Sequence, residues 1–241
     1  MRTEKKIKLV VPITSKEFQE EHKNAMKALG RGIEVIGVKR GSPSIESFYD
    51  TAFSVPATVL KVEEAEKEGF KAVVLDCFDD PGLHAAREKV DILVVGPGQA
   101  SMLMAMALGD KFSIITITDT MISSFQHNAY TLGIERKLAS VRAIGIPVLE
   151  LSKRVNEVKE RLFEESVKAI KEDGASVIIL GCTGMLGIAK ELYDRLKKEG
   201  YDVPVIDPLI AAISLAEALI NMGVKHSRIT YRKPPEKERS Y

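Results

Sequence analysis

Asp173-Gly174-Ala175-Ser176-Val177-Ile178-Ile179-Leu180-Gly181-Cys182 is an acidic residue and a glycine leading into an apolar run that stops at a cysteine. The run has the length and β-branched content of a strand covered on both faces, and Cys182-Thr183-Gly184 reads as the turn at its carboxyl end. The same pattern occurs earlier as Glu68-Gly69-Phe70-Lys71-Ala72-Val73-Val74-Leu75-Asp76-Cys77. The Gly-to-Cys spacing is equal in the two (182 − 174 = 8; 77 − 69 = 8), and these are the only 2 cysteines of the chain. A matched pair of thiols is what two-base proton transfer needs, one on each side of a flat carbanion.

The repetition extends outward from the cysteines. Leu9-Val10-Val11-Pro12-Ile13-Thr14-Ser15 resembles Ser113-Ile114-Ile115-Thr116-Ile117-Thr118-Asp119, and the offsets agree (118 − 14 = 104; 182 − 77 = 105). Leu93-Val94-Val95-Gly96-Pro97 pairs with Pro204-Val205-Ile206-Asp207-Pro208 at a slightly larger offset (208 − 97 = 111). This period is too long for a solenoid, whose repeats run to roughly 20–50 residues, and suits two copies of one α/β unit facing each other.

At 241 residues the chain can bury a substantial core. Its formal net charge of +1 argues against a nucleic-acid partner. The basic start Arg2–Lys8 leads into an apolar stretch that Pro12 and Thr14 soon interrupt, unlike a secretory leader. No run reaches the roughly 18–20 apolar residues of a membrane span, since Asp207 and Glu217 interrupt the best one. Two cysteines do not make a disulfide framework, and their surroundings lack metal-ligand spacing. The expectation is a cytoplasmic protein with reduced thiols, no nucleic-acid or membrane partner and no metal.

Strand-length apolar runs alternate with longer amphipathic segments, the pattern of parallel sheets covered by helices. Strands are predicted at 7–11, 33–38, 72–75, 92–95, 113–117, 140–142, 177–180 and 205–206. Helices are predicted at 16–28, 45–68, 82–89, 99–108, 121–132, 154–172, 184–199 and 210–222, with Pro56 breaking or bending the second. The last strand and helix are expected to return to the first half. One lobe is drawn as 1–100 plus 208–241, carrying Cys77, and the other as 101–207, carrying Cys182. Residues 231–241 read as a charged surface arm.

In open α/β sheets, ligands bind outside the carboxyl ends of the strands, which places both cysteines at ligand-binding edges. A single cysteine at a strand end is ordinarily a packing residue; two in register are not so easily dismissed. Each is followed by an expected helix start, with Asp79 or Asp80 and Pro81 after the first and Thr183 after the second. A thiol there feels the positive end of the helix dipole, which lowers its pKa, and free N–H groups can hold an oxyanion. Capping is the default for Asp79, Asp80 and Asp207. Thr14, Ser15, Thr118 and Thr183 can cap helices, bind substrate oxygens, or both. The four histidines show no triad or metal spacing and read as surface or packing residues, and Met102, Met104 and Met106 as core.

Cys77-Phe78-x-Asp80-Pro81-Gly82-Leu83 and Gly181-Cys182-x-Gly184-Met185 resemble the two cysteine motifs of hydantoin racemases, within the aspartate/glutamate racemase superfamily. Pro43-x-Ile45-Glu46-Ser47-x-Tyr49-Asp50, Ser140-Val141-Arg142-Ala143, Val205-Ile206-Asp207-Pro208 and Gly223-x-x-x-Ser227 also fit, so the match covers essentially the whole chain. The resemblance implies two pseudo-symmetric α/β lobes with the site between them, usually a homo-oligomer, and racemisation of a small molecule without a cofactor. It makes Cys77 and Cys182 the acid/base pair. It draws Pro12, Thr14, Ser15, Ile45, Phe78, Asp79, Gln99, Thr118, Thr183 and Gly184 around the substrate. Two departures bear on the substrate: such racemases often begin Asn-Pro-Asn-Thr-Ser where this chain has Val11-Pro12-Ile13-Thr14-Ser15, and a Glu is usual at Gln99. The expected substrates are 5-substituted hydantoins; aspartate, glutamate, allantoin or maleate on the same fold are the alternative. A non-catalytic ligand-binding or thiol-redox protein is the reading from another class.

Overall fold

The computed structural model describes residues 6–30 and 32–238. Within them lie eight strands: β1 (Ile7–Val11), β2 (Glu34–Gly37), β3 (Ala72–Leu75), β4 (Leu93–Val95), β5 (Phe112–Thr116), β6 (Leu138–Ala143), β7 (Val177–Leu180) and β8 (Val205–Ile206). The α-helices are α1 (Lys16–Ala28), α2 (Phe48–Lys67), α3 (Leu83–Lys89), α4 (Pro97–Leu108), α5 (Ile122–Thr131), α6 (Val155–Asp173), α7 (Ala189–Lys198) and α8 (Pro208–Met222). The residues 2–5 of the leader reading and 239–241 of the expected arm lie outside the described residues.

Two parallel four-stranded sheets form, ordered β2-β1-β3-β4 and β6-β5-β7-β8. The second order is the first with four added to each label, so the sequence repeat is a structural one. The register repeats as well: Ile7 pairs with Ala72 and Phe112 with Val177, and both strands shift by the same amount (112 − 7 = 105; 177 − 72 = 105). β1, β3, β4, β5 and β7 are buried at every position, as helices on both faces require. Each buried Val, Leu or Ile contributes about 1.5–3 kcal/mol by leaving water, so the two central strand pairs anchor the lobes.

The first sheet carries one apolar layer against α8, through Leu9, Val74, Leu209 and Ile213, and another against α2 and α3, through Val73, Leu75, Val62 and Leu83. The largest cluster fills the second lobe and reaches across to Ile13, Phe18, Ile45 and Phe78 of the first. Those four side chains make the joint between the lobes, at the carboxyl edge where both cysteines stand.

Several expectations need correction. β8 does not return to the first half: it pairs with β7, and only α8 crosses over to pack on α4, β4 and β3. The boundary drawn at residue 100 falls inside α4, which touches both α8 and β7. α2 begins at Phe48 rather than Ile45, because the Ser47 hydroxyl accepts from the Asp50 N–H and sets the start there. Pro56 does not interrupt that helix; it sits on the exposed side, where the carbonyl it leaves unpaired can face water. The helix expected over 184–199 is a 3₁₀ turn, Thr183–Met185, a break, and then α7. Gly187, at φ 84°, makes the break, and its N–H is held by the Asp207 carboxyl. Met102 is core, but Met106 is exposed. The described part of the terminal arm lies on the surface, as expected, with Tyr231 against Arg87 and Lys233 on the Asp91 carboxyl.

Candidate active site

Both cysteines leave their strands through the same geometry. After β3 the Asp76 N–H donates to the Val10 carbonyl at 2.8 Å; after β7 the Gly181 N–H donates to the Ile115 carbonyl at 2.8 Å. The cysteine follows each. The Gly184 N–H donates to Cys182 Sγ at 3.4 Å, and the Asp79 N–H serves the Cys77 sulfur in the same way. The two thiols are free and line one cavity with Ile13, Phe18, Ile45, Phe78, Ile117, Met121, Phe125 and Val148. Asp76, Asp79, Gly181 and Thr183 complete its wall.

The cavity is about 30 Å³, room for a water or two, against roughly 300 Å³ or more for a drug-sized ligand. The cavity is therefore too narrow for a ring-sized substrate as it stands, and part of its wall has to shift to admit one. The segment leading into α2 closes one side of the cavity and is bonded across to the other lobe. Ile45 lines the cavity, the Glu46 carboxyl accepts from the Val148 N–H at 2.9 Å, and the Glu46 carbonyl accepts from the Thr120 hydroxyl at 2.7 Å. Glu46 belongs to the first lobe, and both of its partners to the second.

Closure reverses the expected electrostatics of the thiols. Burial, together with the Asp79 carboxyl, pushes Cys77 well above the usual thiol range, although the Asp79 N–H works the other way. Burial pushes Cys182 up to about 12, with the Asp76 and Glu46 carboxyls adding to it and the Gly184 N–H opposing. The helix starts expected to lower these values are not there: α3 begins only at Leu83, behind a left-handed Gly82, and Cys182 is followed by a single 3₁₀ turn.

The acidic residues after Cys77 do not cap the next helix. Asp80, at φ 53°, accepts from the N–H groups of Gly98 and Gln99 and so caps α4. Burial raises its pKa to about 7. A Cβ at Gly98 would lie 2.2 Å from the Phe78 carbonyl, and one at Gly96 2.3 Å from the Asp80 carboxyl carbon, which explains the Gly-Pro-Gly start of α4. Asp79 joins the lobes: it accepts from Thr51 of α2 at 2.5 Å and from Ser124 of α5. Burial raises its pKa despite those bonds. Asp207 caps α8, as expected from the sequence.

Of the residues read from sequence, the cavity gathers Cys77, Cys182, Ile45, Phe78, Asp79 and Thr183, and Gly184 touches the second sulfur. Five stand elsewhere. Ser15 caps α1, and the Thr14 N–H is taken by the Ser42 carbonyl. Thr118 pairs with the Thr120 hydroxyl at 2.8 Å. Gln99 turns away from the cavity and accepts from Arg87 at 2.7 Å. Pro12 is buried behind Ile13, which lines the cavity in its place. The sequence reading missed Ile13, Phe18, Ile117, Met121, Phe125 and Val148, whose apolar character is indistinguishable from core. It also missed a buried pair: His22 Nδ1 lies 2.5 Å from Asp76 Oδ2. Burial disfavours the His22 imidazolium, yet the opposing Asp76 carboxyl and its hydrogen bond raise the pKa overall.

Fold and site define a two-lobed α/β enzyme with one thiol from each lobe facing a shared cavity. The chain belongs to the Asp/Glu/Hydantoin racemase family, whose model matches residues 7–216, and it is a racemase by that kinship. It is 35% identical over 237 residues to a hydantoin racemase of Pseudomonas sp. (strain NS671), covering 97% of this chain and 93% of that one. It is 41% identical over 192 residues to a hydantoin racemase of Rhizobium meliloti, covering 79% and 78%. Among solved structures it resembles an allantoin racemase from Klebsiella pneumoniae, with TM-score 0.89, 32% identity and coverage of 98% and 96%.

Proposed function

We propose that this racemase acts on 5-substituted hydantoins through Cys77 and Cys182, without a cofactor. The observation that carries the reading is the lining of the shared cavity: two thiols from register-equivalent positions, two carboxyls, and no Lys or Arg. A free amino acid would bring its carboxylate against Asp76 and Asp79 with no cation in the wall to offset it. A hydantoin is neutral, and its ring carbonyl takes up the carbanion charge as an enolate.

In the proposed reaction one sulfur, in the small fraction of molecules where it is a thiolate, takes the proton from C5. The C–H electron pair passes into the ring as an enolate. The opposing thiol gives its proton to the other face of C5, and the sulfurs end with their protonation states exchanged. The reverse reaction runs through the same two atoms. The Asp79 and Gly184 N–H groups stabilise whichever sulfur is charged. The apolar wall from Phe18 to Val148 excludes water, which protects the enolate and strengthens those bonds.

The same wall favours an aryl or alkyl substituent at C5 over a polar ureido group. Allantoin, a hydantoin with a ureido group at that carbon, is therefore the second reading, supported by the similarity to an allantoin racemase. Polarimetry of single enantiomers of 5-benzylhydantoin, allantoin, aspartate and glutamate tests this. The expected order is 5-benzylhydantoin, then allantoin, with no turnover of the amino acids. Racemisation of aspartate or glutamate with none of either hydantoin would overturn the proposal.

A further inference from the structure

The two halves of the site differ in two carboxyls: Asp79 stands opposite Gly184 but is taken up by the Thr51 and Ser124 hydroxyls, and Asp76 stands opposite Gly181. Asp76 and Gly181 occupy equivalent places, each directly before the cysteine and each bonded through its N–H to the equivalent central strand. At Gly181 a side chain is barred: a Cβ would lie 2.9 Å from the Thr116 Cα and from Ile114 Cγ2. At Asp76 there is a carboxyl instead, wholly buried, in the wall of the cavity. Its Oδ2 is held by His22 Nδ1 at 2.5 Å, and that ring is itself clamped in a stack on Phe18 at 4.1 Å. Its Oδ1 has no hydrogen-bond partner.

A buried carboxyl oxygen without a donor is costly, and such atoms are rare in folded proteins. The substrate proposed above supplies what is missing. Its reacting carbon has two different neighbours in the ring plane, a carbonyl carbon on one side and an N–H on the other. The thiols stand above and below that plane, so only in-plane groups can tell the two neighbours apart. A carboxyl present in one half and absent from the other is such a group. Asp76 adjoins Cys77 in the chain and lines the same cavity as both sulfurs, so a ring bound between them would come within its reach.

We propose that Asp76 Oδ1 accepts the N1–H of the bound hydantoin, with His22 fixing the carboxyl from behind, and that this bond sets the ring's orientation between the thiols. The inference rests on the hydantoin reading above. It makes Asp76 a binding residue and His22 a positioning residue.

The test compares 5-benzylhydantoin with its 1-methyl and 3-methyl derivatives, in the wild type and in Asp76→Ala. The wild type should accept the 3-methyl compound and lose about 10- to 100-fold in kcat/KM on the 1-methyl compound, the effect of one charge-assisted hydrogen bond. Asp76→Ala should lose a similar factor on the parent and 3-methyl compounds, with little further loss on the 1-methyl compound. If the two losses multiply, Asp76 acts without touching N1–H, and the inference fails while the hydantoin reading stands. The wild-type comparison needs no variant: tolerance of N1-methylation with normal turnover of the parent would also overturn it. If no hydantoin is turned over, the function proposed above falls and this inference with it.

Discussion

Cys77 and Cys182 are chemically restrained by their surroundings. In the closed site each thiol keeps its proton far into alkaline pH, because burial penalises the thiolate more than one backbone N–H can offset. Reaction with iodoacetamide should therefore be slow at pH 7 and rise about tenfold per pH unit beyond pH 9, since only thiolate reacts. The sign for stability follows. The unfolded thiols ionise near 9 while the folded ones hold their protons, so stability is full below that pH. For Cys182 it is lost as pH rises from 9 towards 12, by about 1.4 kcal/mol per pH unit, and Cys77 acts in the same direction. Labelling with mass-spectrometric assignment checks the first expectation, and melting against pH, with Cys77→Ala/Cys182→Ala as control, checks the second. Labelling that is fast and flat near neutral pH would contradict both. The cysteines were legible in the sequence because two thiols at equal spacing after equal strands are a rare coincidence. The direction of their pKa shifts was not, because it depends on burial by residues from α1, α5 and the 145–150 segment. Asp76 was illegible for the same reason: its partner His22 lies 54 positions earlier.

The elements divide between scaffold and gate. β3 and β7 are continuous apolar runs, and every expected strand forms close to its expected bounds, because burial on both faces leaves an unmistakable pattern. Helix starts were harder to read, since they are set by caps from distant segments. Asp80 caps α4 rather than α3, and Asp207 holds Gly187 at the break before α7. The stretch before α2, read from sequence as the first turn of that helix, is where a gate is expected, since it bonds across the cavity to the other lobe. Its Glu46 bond to the Val148 N–H is one contact across the lobes. Glu46→Ala should remove about 1 kcal/mol of closure. Labelling of Cys77, whose charge balance Glu46 does not set, should then rise roughly five- to tenfold at fixed pH, while Glu46→Gln, which keeps an acceptor, stays near the wild type at that thiol. Unchanged labelling in Glu46→Ala would show that the cavity opens elsewhere.

At the scale of the whole molecule, a repeated four-strand sheet places equivalent carboxyl edges face to face, and the joint between them is the proposed active site. The repeat was visible in the sequence at constant offset, which is why the two-lobed architecture could be read before the structure. The departures from symmetry, Asp76 against Gly181 above all, were not. They are where a symmetric frame meets an asymmetric substrate. In the proposed reaction each thiol serves one face of the carbanion, so removing one should leave half of the reaction. Proton NMR in deuterated water, following the C5 proton of each pure enantiomer of 5-benzylhydantoin with Cys77→Ala and with Cys182→Ala, tests this directly. The account predicts that racemisation falls at least about 1,000-fold in both variants. Each variant should still exchange the C5 proton of one enantiomer only, and the two should choose opposite enantiomers. Racemisation at near wild-type rate by either variant, or exchange of the same enantiomer by both, would contradict it.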